Sequence, residues 1–245
     1  MTRTMTRMTT RTATGTLARV GAASGAVCVL SVMVGNGLAL AGQSGATGGP
    51  DLLADLTRPP SAVNAAGLTL ELIGWAALVM FLGYLYGVLR RAEGEDGWLA
   101  PVAFGSGLVM VTIKLGSVGP LVAAWYRRDD GLSVGAAETL SDLGDALFVV
   151  SGWATGLLVA SAAGSALASR VLPRWLGWFG VVSGFATLVA GTAGILYPRD
   201  YVPLPFLAGL LWVLITSVVL TLRAVREAQE DLVPRSVRTG AAAGQ

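Results

Sequence analysis

Six stretches of this chain stay apolar for about twenty residues at a time, the length an α-helix needs to cross a hydrocarbon core of about 30 Å. They run at about 17–41, 68–89, 98–126, 143–168, 176–197 and 204–222. Lipid offers no water to backbone N–H and C=O groups, so such a segment closes its own hydrogen bonds as a helix. Composition removes the soluble alternative. Only 13% of residues are charged, against about 25% in a soluble domain, and mean hydropathy is +0.65. Glycine is abundant, 33 of 245 residues, without a triplet period. Small residues let membrane helices approach closely, which suits a packed bundle rather than a collagen or low-complexity chain. The expected fold is an all-α, polytopic transmembrane helical bundle of six spans.

Arginine placement orients it, because basic loops stay cytoplasmic. Twelve arginines fall on one side of the six-span arrangement and four on the other, while eight acidic residues lean to the arginine-poor side. The bias alternates with every loop, which predicts both termini inside and a location in the cell inner (plasma) membrane. Trp98, Trp175 and Trp178 fall at inner interfaces, and Trp125, Tyr126, Tyr197 and Tyr201 at outer ones, the depth that amphipathic rings prefer. Residues 1–16 read as a flexible basic cytoplasmic tail, 17–226 as the bundle, and 227–245 as a second tail, helical at first and then disordered. The loop at 43–66 carries Pro50, Pro59 and Pro60, with one interfacial turn expected over Asp51–Leu56. A second reading of the start treats span one as a signal peptide cleaved after Ala39-Leu40-Ala41, which leaves five spans.

Polar side chains inside a bilayer are costly and therefore informative. Counted from the cytoplasmic end of each helix at about 1.5 Å per residue, Asn36, Glu71 and Lys114 stand roughly 26, 27 and 24 Å up. Three consecutive spans thus bring a polar group to one depth in the outer leaflet. Asp142 and Asp145 stand a turn or two higher, at the mouth of span four. Two readings follow. In the functional one, Glu71 and Lys114 form an ion pair, Asn36 bonds to the carboxylate, Asp145 is a rival partner, and the layer lines an outward cavity that binds a ligand or passes a proton. In the structural one, the pair fixes helix register and Lys114 extends its ammonium toward water.

Span three contains Pro120, which has no N–H for the carbonyl of Gly116 and favours a kink there. That kink either widens an outer vestibule or ends the apolar run early. Three G-x-x-x-G spacings recur, at Gly21/Gly25, Gly152/Gly156 and Gly180/Gly184. They serve packing within the bundle or, alternatively, a homodimer face.

Several chemistries are excluded. The chain has no histidine and one cysteine, Cys28. Ser-His and Cys-His nucleophile pairs, an intramolecular disulfide and H-E-x-x-H zinc hydrolysis are therefore out of reach. It contains no P-loop, no G-x-S-x-G elbow and no channel-filter sequence. No cofactor, no metal and no nucleic-acid partner is expected; lipid surrounds the chain, with a homodimer or a membrane partner protein as further company. Leu-Arg-Arg-Ala-Glu-Gly at 89–94 and Leu-Pro-Arg-Trp-Leu-Gly at 172–177 resemble loops of uncharacterised bacterial membrane proteins, the second resembling domain-of-unknown-function family 4386. That resemblance implies a polytopic inner-membrane bundle and no known activity, so it carries over no functional residue. The expectation is a non-enzymatic integral membrane protein, an accessory or small-molecule-sensing subunit. The alternative is a small secondary transporter or permease using the outer polar layer.

Overall fold

The computed structural model describes the backbone of residues 2–197 and 201–232, and the side chains of residues 15–197 and 201–230. Eight α-helices are found among the described residues: α1 (Thr2–Ala39), α2 (Gly49–Thr57), α3 (Ala62–Glu93), α4 (Leu99–Gly116), α5 (Gly119–Arg127), α6 (Val134–Ser169), α7 (Arg174–Leu196) and α8 (Leu204–Leu232). Six stretches are long and apolar enough to cross a membrane, with α4 and α5 together making the third. The chain is an all-α polytopic membrane bundle. Large apolar side chains such as Leu30, Val182, Phe185 and Val189 face outward from it, as a lipid-facing surface requires.

Local chemistry sets the helix ends, and several differ from the expected bounds. Span two starts at Ala62 rather than Leu68, because Ser61 and Asn64 form a reciprocal capping box that nucleates the helix early. Span four starts at Val134 rather than Leu143, where the Ser133 hydroxyl accepts from the Ala136 N–H. Helical structure begins at Thr2 instead of an irregular tail over 1–16; no proline interrupts that segment, and its backbone continues the ladder of the span behind it. The turn expected over Asp51–Leu56 is the nine-residue α2, opened by Pro50 and anchored by buried Leu52. The last span runs to Leu232, which agrees with a tail helical at first. Residues 233–245 lie outside the described residues.

Span three breaks where Pro120 predicts. Helix α4 ends at Gly116 and α5 begins at Gly119, with Pro120 in its first turn. Around the break, Val118 N–H donates to the Leu115 carbonyl at 3.4 Å, a tighter i→i−3 turn.

Helix α6 is the hub and the most buried span, in contact with α2, α3, α4, α5, α7 and α8. Its buried face is built from Gly152, Ala154, Gly156, Ser161, Ala162, Ala163 and Ala166, small enough for neighbours to approach from several directions. All three G-x-x-x-G pairs face into the bundle. A Cβ on Gly25 would lie 2.9 Å from Ser217 Cβ, one on Gly156 2.7 Å from the Gly184 carbonyl oxygen, and one on Gly180 2.3 Å from Trp212 Nε1. Trp212 uses that approach to donate to the Leu176 carbonyl at 2.9 Å.

Helix α1 packs against α3 and α8. Ser217 on α8 inserts its hydroxyl into the α1 ladder, accepting from Ala26 N–H at 2.8 Å and donating to the Ala22 carbonyl at 2.5 Å. The Asn64 amide reaches from α3 to the carbonyls of Leu38, Ala39 and Ala41, at 3.3, 3.0 and 2.9 Å, satisfying the open end of α1.

Candidate functional site: a buried lysine between aromatic rings

Lys114 sits on the last turn of α4 and is only 4% exposed. An ammonium in this setting needs compensation, since a charge taken from water without a partner is strongly disfavoured. The compensation comes from aromatic faces. Nζ lies 3.4 Å from the ring centroid of Phe148 on α6 and 4.6 Å from that of Phe206 on α8. Ring quadrupoles attract cations, by about 2 kcal/mol or more in a desolvated site. The rings support one another: Phe148 and Phe206 are 5.2 Å apart at 60°, and Tyr201 meets Phe148 edge-on at 5.9 Å and 82°. Tyr201 thus lies partly buried against the cage rather than purely at an interface, and its burial raises the phenol above its ordinary pKa.

Local sequence explains why these groups meet. Lys114 falls on the inward face of α4 with Met110 and Val111, and Ser117 returns its hydroxyl to the Lys114 carbonyl at 2.7 Å. Across the chamber, Thr187 donates to the Pro205 carbonyl at 2.8 Å, tying α7 to the start of α8 one residue before Phe206.

The five expected polar residues do not form one cluster. Glu71 is half-buried on α3 and accepts from Trp75 Nε1 at 3.3 Å, one turn along its own helix. No carboxylate oxygen, that of Glu71 included, comes within 4.0 Å of Lys114 Nζ among the described residues. The direct ion pair is therefore replaced by a cation–ring contact. Asn36 is exposed on α1; although its neighbour Gly35 packs against the Glu71 backbone, its side chain is not bonded to that carboxylate. Asp142 and Asp145 are exposed on the N-terminal part of α6, and Asp145 stands three residues from Phe148. The sequence reading missed Phe148, Phe206, Tyr201 and Trp75. A signal was present: Lys114 is the sole lysine of the chain, and a buried cation without a close carboxylate calls for π faces.

A second polar assembly holds the loop between α1 and α3. The Ser44 N–H and hydroxyl both donate to Asp55 Oδ2, at 2.7 and 2.6 Å, and Arg58 lies 3.4 Å from Asp55 Oδ1. Those Ser44 hydrogen bonds, with the Arg58 charge adding to them, hold the Asp55 carboxyl below its ordinary value. Arg58 also donates to the Gly42 carbonyl at 2.5 Å, and Gly49 N–H donates to Glu138 Oε1 at 2.9 Å. The loop is thereby fastened to α2 and α6. Among the described residues, no group of three or more His, Cys, Asp or Glu side chains is placed to hold a metal ion.

No family model, curated protein or solved structure matches this chain. The residues themselves identify it as a multi-pass integral membrane protein.

Proposed function

We propose that this protein is a non-enzymatic subunit of the cell inner membrane, serving a membrane partner as an accessory or sensing component. The observation that carries the reading is Lys114, a buried cation gripped by rings from two other spans. A contact of this kind couples the positions of α4, α6 and α8. Such a joint between packed helices suits a protein whose output is the arrangement of its own helices, passed to a neighbour. The thin acid–base inventory supports the absence of catalysis: no histidine is available, and Asp142 and Asp145 are exposed.

A second reading, a small transporter or permease, draws on the absence of a close carboxylate at Lys114, which leaves the cation able to attract an anionic guest. The two readings separate in one experiment. Wild type and Lys114→Met are purified from cross-linked native membranes and, in parallel, reconstituted into vesicles carrying a pH dye and a chloride dye. Lys114→Met keeps the stem in the aromatic chamber and removes the charge. The subunit reading expects a stoichiometric partner with wild type, reduced at least about tenfold by the variant, which corresponds to one desolvated cation–π contact. Proton or chloride flux that depends on Lys114, with no partner recovered, replaces it with transport.

A further inference from the structure

At the opposite, arginine-rich end of the bundle, the end of α3, the α3–α4 loop and the last turns of α6 line an open cleft of about 320 Å³. Glu93 and Ser165 line it, and each carries a buried oxygen without a hydrogen-bond partner, Glu93 Oε1 and Ser165 Oγ. Ser165 is 0% exposed. Four other serines in the bundle return the hydroxyl to their own helix: Ser151 to Phe148, Ser161 to Leu157, Ser169 to Ser165 and Ser183 to Gly180. Ser165 does not. Buried polar atoms in native proteins are nearly always bonded, so two orphans on one cleft mark a missing partner.

Both orphan oxygens can accept a hydrogen bond, and a carboxylate oxygen favours a donor that carries positive charge. Glu93 keeps one oxygen on the Ala100 N–H at 3.3 Å, capping α4, and leaves the other free. The nearby guanidinium of Arg90 is committed elsewhere, donating to the carbonyls of Gly94, Glu95 and Gly97 at 3.0, 2.9 and 2.6 Å. No Lys or Arg nitrogen stands within 4.0 Å of Glu93 among the described residues. The loop is also shaped around the carboxylate: a Cβ on Gly97 would fall 2.3 Å from Glu93 Oε2. Asp96 and Trp98 complete the wall, and Trp98 is 66% exposed at the rim.

We propose that this cleft binds a primary ammonium group, with Glu93 Oε1 and Ser165 Oγ accepting two of its three N–H bonds. A quaternary ammonium has no N–H and leaves both orphans unmet, so the site discriminates between the two. The ammonium belongs either to an ethanolamine lipid of the adjoining leaflet or to a free amine.

Full-length protein in detergent is titrated with phosphatidylethanolamine, phosphatidylcholine or phosphatidylglycerol of matched acyl chains, and retained lipid is read by native mass spectrometry. Ethanolamine alone is tested by thermal shift. Phosphatidylethanolamine is expected to be held at least about tenfold better than phosphatidylcholine, which corresponds to lost hydrogen bonds to a charged group. Glu93→Gln, which keeps an acceptor for Ala100 N–H, is expected to abolish that preference. Ser165→Ala is expected to reduce it about fivefold, roughly one hydrogen bond. Retention of phosphatidylethanolamine without an ethanolamine shift assigns the lipid headgroup; a shift by ethanolamine that Glu93→Gln removes assigns the free amine. Equal retention of the ethanolamine and choline lipids together with no ethanolamine shift overturns the proposal. So does a Ser165→Ala variant that folds, melts higher and binds as wild type does.

Discussion

The seam between α1 and α3 and the seam between α4 and α6 use the same residue type to opposite ends. Where α1 meets α3, glycines bring the two backbones into contact. A Cβ on Gly35 would stand 2.7 Å from the Glu71 nitrogen, and one on Gly67 2.4 Å from the Ala39 nitrogen. Where α4 faces α6, Gly105 meets nothing within 4 Å. It lines an apolar groove of about 510 Å³ with Val102, Val109, Val150 and Trp153. The first seam is closed by backbone contact, whereas Gly105 lies on the exposed edge of the second, which also carries the Lys114–Phe148 contact. A glycine in a membrane span is therefore a packing device only where a neighbouring helix, by backbone or side chain, occupies the space that its own side chain would fill.

The strongest way to break this comparison is a pair of alanine substitutions read by thermal unfolding in detergent. Gly67→Ala forces a methyl against the α1 backbone, which cannot yield as a flexible side chain would; a loss of about 3 kcal/mol is expected. Gly105→Ala meets open space and gains helix propensity, so it is expected to be neutral or stabilising by up to about 1 kcal/mol. Similar losses at both positions would erase the distinction between the seams.

A smaller effect sharpens the closed side. Asn64→Ala removes the amide that satisfies the Leu38, Ala39 and Ala41 carbonyls, along with half of the α3 capping box. A loss of about 1–2 kcal/mol is expected, in the range of helix-cap deletions. Faster hydrogen exchange is expected at the end of α1 and the start of α3, with α4 and α6 unchanged.

The smallest effect lies on the α6 side, in the docking of the loop between α1 and α3. Asp55 has a lowered pKa in the folded protein, so its charged form adds stability above the ordinary carboxylate value of about 3.9. That stability is lost as pH falls through the lowered folded value. Exchange at the Ser44 amide is expected to be pH-independent in protection above about pH 4 and to lose protection below it. Asp55→Asn should remove this dependence. A profile that Asp55→Asn leaves unaltered assigns the loop's acid sensitivity to another carboxylate.

Much of the bundle was legible from residue order. The apolar runs placed six spans and Pro120 placed the break in the third. The early starts of α3 and α6 were less visible, because Ser61 with Asn64 and Ser133 act through caps lying outside the apolar run. The candidate polar residues were legible as rare groups in apolar spans, but neither their grouping nor the rings around Lys114 was. Counting residues along a helix gives height and says nothing about azimuth, so Asn36 at the expected height still faces away from Glu71.

By itself, the sequence determined that the chain lives in lipid as helices, since apolar length and unsatisfied backbone groups leave no other structure. It also determined which charges would be rare there. Tertiary structure alone decided what those charges meet. Partners across a bundle depend on the rotation of each helix about its own axis, and packing between neighbours sets that rotation: Gly67 against the Ala39 backbone, Phe148 beneath an ammonium, Ser165 beside Glu93 on one cleft.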